Sequence, residues 1–290
     1  MQIALVVQGQ DAVSWHDWHA LADACEEHAV PTLLRSDHYQ GFAGDREGAL
    51  DAWGTVCALS AVTSRLRLGT LVSPVTFRPP AVLSKLVSTA DHVSGGRIEI
   101  GLGAGWDEAE HATYGISFPP LHERMSLLEG QLRTLHEHWS ADWYAPAPVQ
   151  RPHPPVIVGG TGAARGLALA ARWADEYNTP NVPPEDAARR REALSAACRS
   201  AGREPIRFSV MLPLVLAADR SDAVDRERLI TQRLGRALDQ SAVRGSVEDV
   251  IARLKLYEAA GTDRVILGFP LYRDLETIAL LGTAVVPALT

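Results

Sequence analysis

The sequence predicts a single (β/α)8 barrel with an excursion after the fourth strand, and three observations carry that reading. Eight stretches with strand character alternate with helical patterns along 290 residues, the rhythm of a parallel sheet wrapped in helices. No segment with a clear change of composition divides the chain, so residues 1–290 are expected to form one domain. The stretch from Leu66 to Trp106 reads strand, crossover helix, strand, a βαβ unit whose two strands must lie parallel. Eight such units in a chain of this length fit the barrel at its usual size of ~250 residues or more. A doubly wound open sheet is the runner-up, because periodicity alone does not show closure.

The first strand is Gln2 to Gln8, and Ser14 caps a helix running to His28. A second strand, Thr32 to Ser36, ends in Asp37-His38-Tyr39. A loop with Gly41, Gly44 and Gly48 precedes a helix from Asp51 to Val62. In the central unit Leu66 to Val72 is a strand, Ser73 to Pro80 a turn, and Ala81 to Val93 a helix. Arg97 to Leu102 is the next strand, and a polar and aromatic segment from Gly103 to Pro120 is the excursion, a lid or substrate wall over the barrel mouth. The helix Leu121 to Trp139 sets Leu127, Leu128, Leu132 and Leu135 on one face. Five prolines between Pro146 and Pro155 mark a connector. Val156 to Val158 is a buried strand, Ala163 to Arg172 a helix, Glu176 to Asn178 a short strand and Pro184 to Ala201 a helix. Arg207 to Leu216 is a strand followed by two helical stretches, the second capped at Gly245-Ser246. Arg264 to Gly268 is the last strand and Arg273 to Val286 the closing helix.

Composition narrows the function classes. With 46% hydrophobic and 22% charged residues the chain is ordinary globular material. A net charge of −7 without any basic stretch argues against nucleic acid as partner. Lysine occurs only at Lys85 and Lys255, so arginine supplies nearly all the positive charge. Cys25, Cys57 and Cys198 are odd in number and unpatterned, as in a reducing compartment. The first strand begins at Gln2 and no apolar run approaches the ~20 residues of a membrane span. A cytoplasmic protein acting on a small molecule is expected, with homodimerisation allowed and no membrane partner.

In a barrel the catalytic groups stand at the carboxyl ends of the strands. Asp37 and His38 form the one strong acid/base pair there, and a histidine exchanges protons near neutral pH. Against a working pair stands the alternation of a strand, which sends neighbours to opposite faces. Gly159-Gly160-Thr161-Gly162 lies between a strand and a helix start, where free backbone N–H groups favour an anion. The alternative is a tight turn that needs glycine as well. Gly101 to Trp106 invites a dinucleotide reading, but Trp106 stands where the third glycine belongs. These glycines are instead expected to let the backbone pass close under a flat ligand. The remaining histidines show no zinc-like spacing, so no metal is expected, and His136 and His138 read as a solvated helix face.

Four segments together resemble the luciferase-like monooxygenase family, in particular its branch dependent on the deazaflavin coenzyme F420. They are Leu34 to Tyr39; Arg65 to Thr70 through Phe77-Arg78-Pro79-Pro80-Ala81; Ser94 to Arg97 through Gly101 to Trp106; and Val158 to Gly162 with Trp173-Ala174-Asp175. The resemblance implies the barrel already argued and a bound F420, with flavin mononucleotide (FMN) as the alternative. It puts Asp37 and His38 beside the cofactor ring, with His38 catalytic near the hydride-accepting carbon. It also implies a non-proline cis peptide at Leu71-Val72 pressing on one ring face, and a phosphate held by Gly159, Gly160 and Thr161, with Gly162 completing the loop. Trp106 and Tyr114 of the excursion then wall the substrate pocket. Sugar-phosphate dehydrogenases of this branch carry an acid where Trp106 stands, which speaks against that activity here. The implied reaction is hydride transfer with a small organic substrate. The alternatives are an FMN-dependent monooxygenase and a barrel that binds a cofactor without turnover.

Overall fold

A computed structural model describes residues 1–41 and 48–289, so Gly44 of the predicted loop lies outside the described residues. The strands are β1 (Gln2–Val7), β2 (Thr32–Arg35), β3 (Arg67–Pro74), β4 (Ile98–Gly103), β5 (Val156–Gly159), β6 (Glu176–Pro180), β7 (Arg207–Leu216), β8 (Val243–Gly245) and β9 (Arg264–Gly268). All pairings are parallel. β1 to β7 follow one another around the sheet, and β9 closes it by pairing with both β7 and β1. The eight predicted strands make this closed barrel, which rules out the open sheet. The ninth, β8, was not predicted: Val243–Gly245 pairs only with Leu214–Leu216 at the far end of β7. Three residues are too few to show a period of two, so the pattern hid it.

The surrounding helices are α1 (Trp15–Glu27), α2 (Ala52–Val62), α3 (Pro80–Ser94), α4 (Glu108–Tyr114), α5 (Leu121–Ser140), α6 (Ala164–Trp173), α7 (Pro184–Ser200), α8 (Arg220–Leu234), α9 (Val247–Ala259) and α10 (Leu275–Leu280). Ser14 and Ser246 cap α1 and α9 with capping boxes, as the sequence suggests for both starts. The predicted closing helix is α10 followed by a π-helical turn, Leu281–Val285. The excursion holds the unpredicted helix α4, opened by Asp107, whose carboxylate accepts the Glu110 N–H at 3.0 Å. His136 and His138 are not a solvated face. Their rings pack on His153 and Trp173, and on Trp143 and Tyr144. Among the described residues no helix is long and apolar enough to cross a membrane.

Alternation sorts the strand side chains into two cores. Ile3, Leu5 and Val7 of β1 join the large apolar shell between barrel and helices, while Ala4 and Val6 join Leu34, Leu71, Ile157 and Ile266 inside the barrel. Toward the amino ends of the strands the interior is ionic. Arg264 reaches Glu99 at 2.7 Å and Glu176 at 3.3 Å, all three nearly inaccessible, while Arg67 and Arg207 close the plug from its rim. This arrangement leaves only the carboxyl end of the barrel open for a ligand.

Candidate active site

The carboxyl ends of the strands and the loops beyond them line a cavity of about 910 Å³. That is near the top of the ~300–1,000 Å³ range of small-molecule sites. One wall is the end of β3. The Leu71–Val72 peptide is cis although neither residue is proline, and the β3–β4 register slips between Thr70 and Ser73. Both residues line the cavity. A Cβ built on Gly103 would fall 2.7 Å from a Val72 methyl, and one on Gly159 would fall 2.9 Å from the other. The glycines ending β4 and β5 therefore make room for Val72. Gly103 itself lines the cavity, so its missing side chain makes room for the neighbouring strand as well as leaving the backbone open there.

A second wall is the loop between β5 and α6. Gly159, Gly160, Thr161 and Ala163 line the cavity, and Ala163, at the helix start, offers no side-chain cap. Gly160 gives its N–H to the Asn178 carbonyl at 3.0 Å and Gly162 to the Tyr177 hydroxyl at 2.8 Å. Among the described residues, the N–H groups of Thr161 and of the first turn of α6 meet no protein acceptor. An uncapped helix start beside a cavity is an anion cradle. The N–H groups left for an anion are thus those of Thr161 and the start of α6, while those of Gly160 and Gly162 are already paired, and Gly162 does not line the cavity. Arg165 lines it and is held by the His122 carbonyl and the Ser126 hydroxyl at 2.9 and 2.8 Å.

The predicted pair, which lies just past the end of β2, separates. His38 lines the cavity; Asp37 does not and is wholly buried. Asp37 accepts the Ser73 hydroxyl at 2.6 Å and a two-pronged contact from Arg78 at 2.5 and 3.2 Å. Arg78 also binds Asp51 at 2.5 Å, and Trp53 donates to Ser73 at 3.0 Å. Asp37 is therefore a framework residue tying the ends of β2 and β3 to the start of α2. That contradicts its expected place beside a cofactor ring.

Glu110 of α4 takes the role that the sequence suggested for Asp37. Its Oε2 lies 2.9 Å from His38 Nδ1, while Oε1 accepts the backbone N–H of Tyr39 and, at 3.1 Å, that of Gln40. Burial pushes the Glu110 carboxyl up, but the His38 contact and the two amides outweigh it and hold it below the usual range. The spacing Asp107-x-x-Glu110 is that of a capping box and could have revealed α4. No sequence pattern shows that the glutamate turns to His38. Trp106 lines the cavity, 63% exposed, with its ring 5.4 Å from that of His38. Tyr114 does not line it; its hydroxyl donates to the Tyr39 carbonyl at 3.1 Å and its ring leans on Tyr39. His38, Asp107 and Glu110 offer ligand atoms within 4.8 Å of one another, but each of the three is engaged in the contacts just described.

Comparison with known proteins agrees with the barrel fold. A family profile described as luciferase-like monooxygenase matches residues 3–284. An uncharacterised protein of Mycobacterium tuberculosis is 35% identical over 144 residues, 45% of this chain and 50% of that protein. The chain thus spans about half the length of this curated relative. The pyrimidine monooxygenase RutA of Agrobacterium fabrum is 29% identical over 224 residues, 70% of this chain and 60% of that enzyme. Among solved structures, an F420-dependent secondary alcohol dehydrogenase in complex with an F420-acetone adduct superposes with a TM-score of 0.83. It is 17% identical and covers 100% of this chain and 99% of its own.

Proposed function

Because the chain belongs to the luciferase-like monooxygenase family, we propose that it is an oxidoreductase transferring a hydride between F420 and a small organic substrate. The observation that carries the reading is His38, held by Glu110 in a cavity that also contains an anion cradle. The cofactor fits the residues present. Thr161 and the first turn of α6 would donate to its phosphate, Arg165 would add positive charge, and Leu71 and Val72 would back the ring. When bound, F420 supplies a carrier of hydride. When a carbonyl carbon gains a hydride, its oxygen must gain a proton, and an alcohol oxidised in reverse must lose one. His38 holds or takes that proton at an imidazole nitrogen. The dehydrogenase among the structural relatives is named for such chemistry.

Titration of the purified protein with F420 and with FMN, followed by fluorescence, tests this. F420 is expected to bind at least ~10-fold more tightly, about 1.4 kcal/mol; tighter binding of FMN would move the protein to the second reading, a flavin monooxygenase. The likeness to a pyrimidine monooxygenase favours that second reading, and backbone donors at a helix start would suit either phosphate.

The same titration checks the cradle. A Cβ on Gly160 would lie 2.7 Å from the Tyr177 hydroxyl that accepts the Gly162 N–H. Gly160→Val is expected to displace that hydroxyl, reshape the loop and weaken F420 binding by at least ~10-fold, with the protein still folded. Unchanged affinity of the folded variant would reduce the loop to a turn.

A further inference from the structure

The structure assigns Glu110 as the positioning residue that fixes the tautomer of His38, an inference that rests on the hydride-transfer reading for its catalytic consequence. The geometry leaves Glu110 little freedom. The Tyr39 and Gln40 N–H groups converge on Oε1, so that oxygen must accept. Oε2 is left facing His38 Nδ1 at 2.9 Å, in a place where the Glu110 side chain is 1% exposed. A carboxylate oxygen so enclosed requires a donor, and His38 Nδ1 stands at hydrogen-bond distance from it. An ionised carboxylate only accepts, so Nδ1 must carry the proton, and in the neutral ring Nε2 then holds the lone pair. Three consecutive residues after β2 are thereby fastened to α4 by one side chain. The excursion thus determines which ring nitrogen can accept a proton from a substrate.

Glutamine at this position has a definite consequence. The two backbone N–H groups still demand an acceptor, so the amide oxygen must take the place of Oε1. The amide NH2 then faces Nδ1 and donates to it, and the proton must move to Nε2. Glu110→Gln therefore inverts the tautomer without removing a single heavy atom. In the Ser-His-Asp template, an amide in place of the orienting carboxylate leaves geometry intact and produces the wrong tautomer, at ~10⁴-fold in kcat.

Nitrogen-15 NMR of the histidine-labelled protein reads the tautomer directly, with the His38 signals identified by their loss in His38→Asn. Spectra recorded at successively higher pH, until the His38 signals no longer move, report the neutral ring. The expected result is Nδ1–H in the parent and Nε2–H in Glu110→Gln. Turnover with F420 should fall at least ~10²-fold in the variant, with F420 affinity within a few-fold and the melting temperature nearly unchanged. A parent His38 protonated at Nε2 would overturn the assignment without any variant, and so would a variant whose tautomer matches the parent. If the tautomer inverts but turnover does not fall, Glu110 is no positioning residue for the reaction. If the tautomers behave as expected while F420 fails to bind, the hydride-transfer reading falls and the hold of Glu110 on His38 stands.

Discussion

Replacing Arg264 with methionine is expected to destabilise the protein by about 3 kcal/mol or more, the cost of breaking a buried ion pair by removing one partner. Arg264 is 2% exposed and stands between Glu99 and Glu176 at the closed end of the barrel. Methionine fills similar volume but leaves two buried carboxylates with only Arg67 and Arg207 to answer them. The sign of the pH dependence can be worked out for Glu99. Burial pushes its carboxyl up, yet Arg264 and then Arg67 hold it below the ordinary value of 4.5. Its contribution in the parent is thus fully present above pH 4.5 and lost as the pH falls through the depressed pKa. With Arg264 gone, the effect of burial is opposed by Arg67, so the native variant takes up a proton at higher pH than the parent does. The penalty should then be largest at neutral pH and shrink as the pH is lowered toward 4.5. Urea denaturation of parent and variant across that range measures it; a penalty below about 1 kcal/mol at neutral pH would mean that the plug is screened like a surface pair.

The barrel was legible because its signals are local and repeated. Each inward strand residue is followed by an outward one, and the helices carry their own caps and stripes. What escaped were β8 and α4. The first is three residues long. The second is seven residues in a segment rich in Gly, Pro and aromatic side chains, where the pattern looks irregular. The site was half legible for a related reason. Strand ends and glycine loops are sequence features, so His38, Val72, Gly159 and Thr161 could be named before any coordinates. The cis peptide at Leu71–Val72 agrees with what the resemblance to the family implied.

Pairings across the fold have no such signature. Asp37 stands next to His38 in sequence and was read with it, but in the segment just past β2 it turns to Arg78 and Ser73. Glu110, 72 residues away, came to the histidine instead. Tyr114 was grouped with Trp106 because both are aromatic members of the excursion. Trp106 precedes α4 while Tyr114 ends it, and the two turns of helix between them carry Tyr114 over to Tyr39 and away from the cavity. In each case residue type was informative and direction was not, because direction depends on contacts that only the folded chain creates.

His38→Asn is expected to leave F420 affinity within a few-fold and to lower turnover at least ~100-fold. The framework around position 38 does not depend on the ring. Glu110 still binds the Tyr39 and Gln40 amides, Asp37 still binds Arg78, and the loop after β2 keeps its course. Asparagine supplies an N–H within reach of Glu110, so the buried carboxylate keeps a donor and the fold should lose little stability. What disappears is a group able to exchange a proton near neutral pH. In the proposed reading, cofactor binding would draw on the separate cradle at Thr161 and the start of α6, which is why the two readouts should part. The measurement is single-turnover reduction of F420, or its reoxidation by a surrogate acceptor, alongside the fluorescence titration. A variant that turns over within a few-fold of the parent would make His38 a residue that merely orients the ring and send the search for the proton elsewhere on the cavity wall. A variant that loses affinity and turnover together would instead place the cofactor's main contacts at the end of β2, not at the uncapped helix where the backbone donors lie.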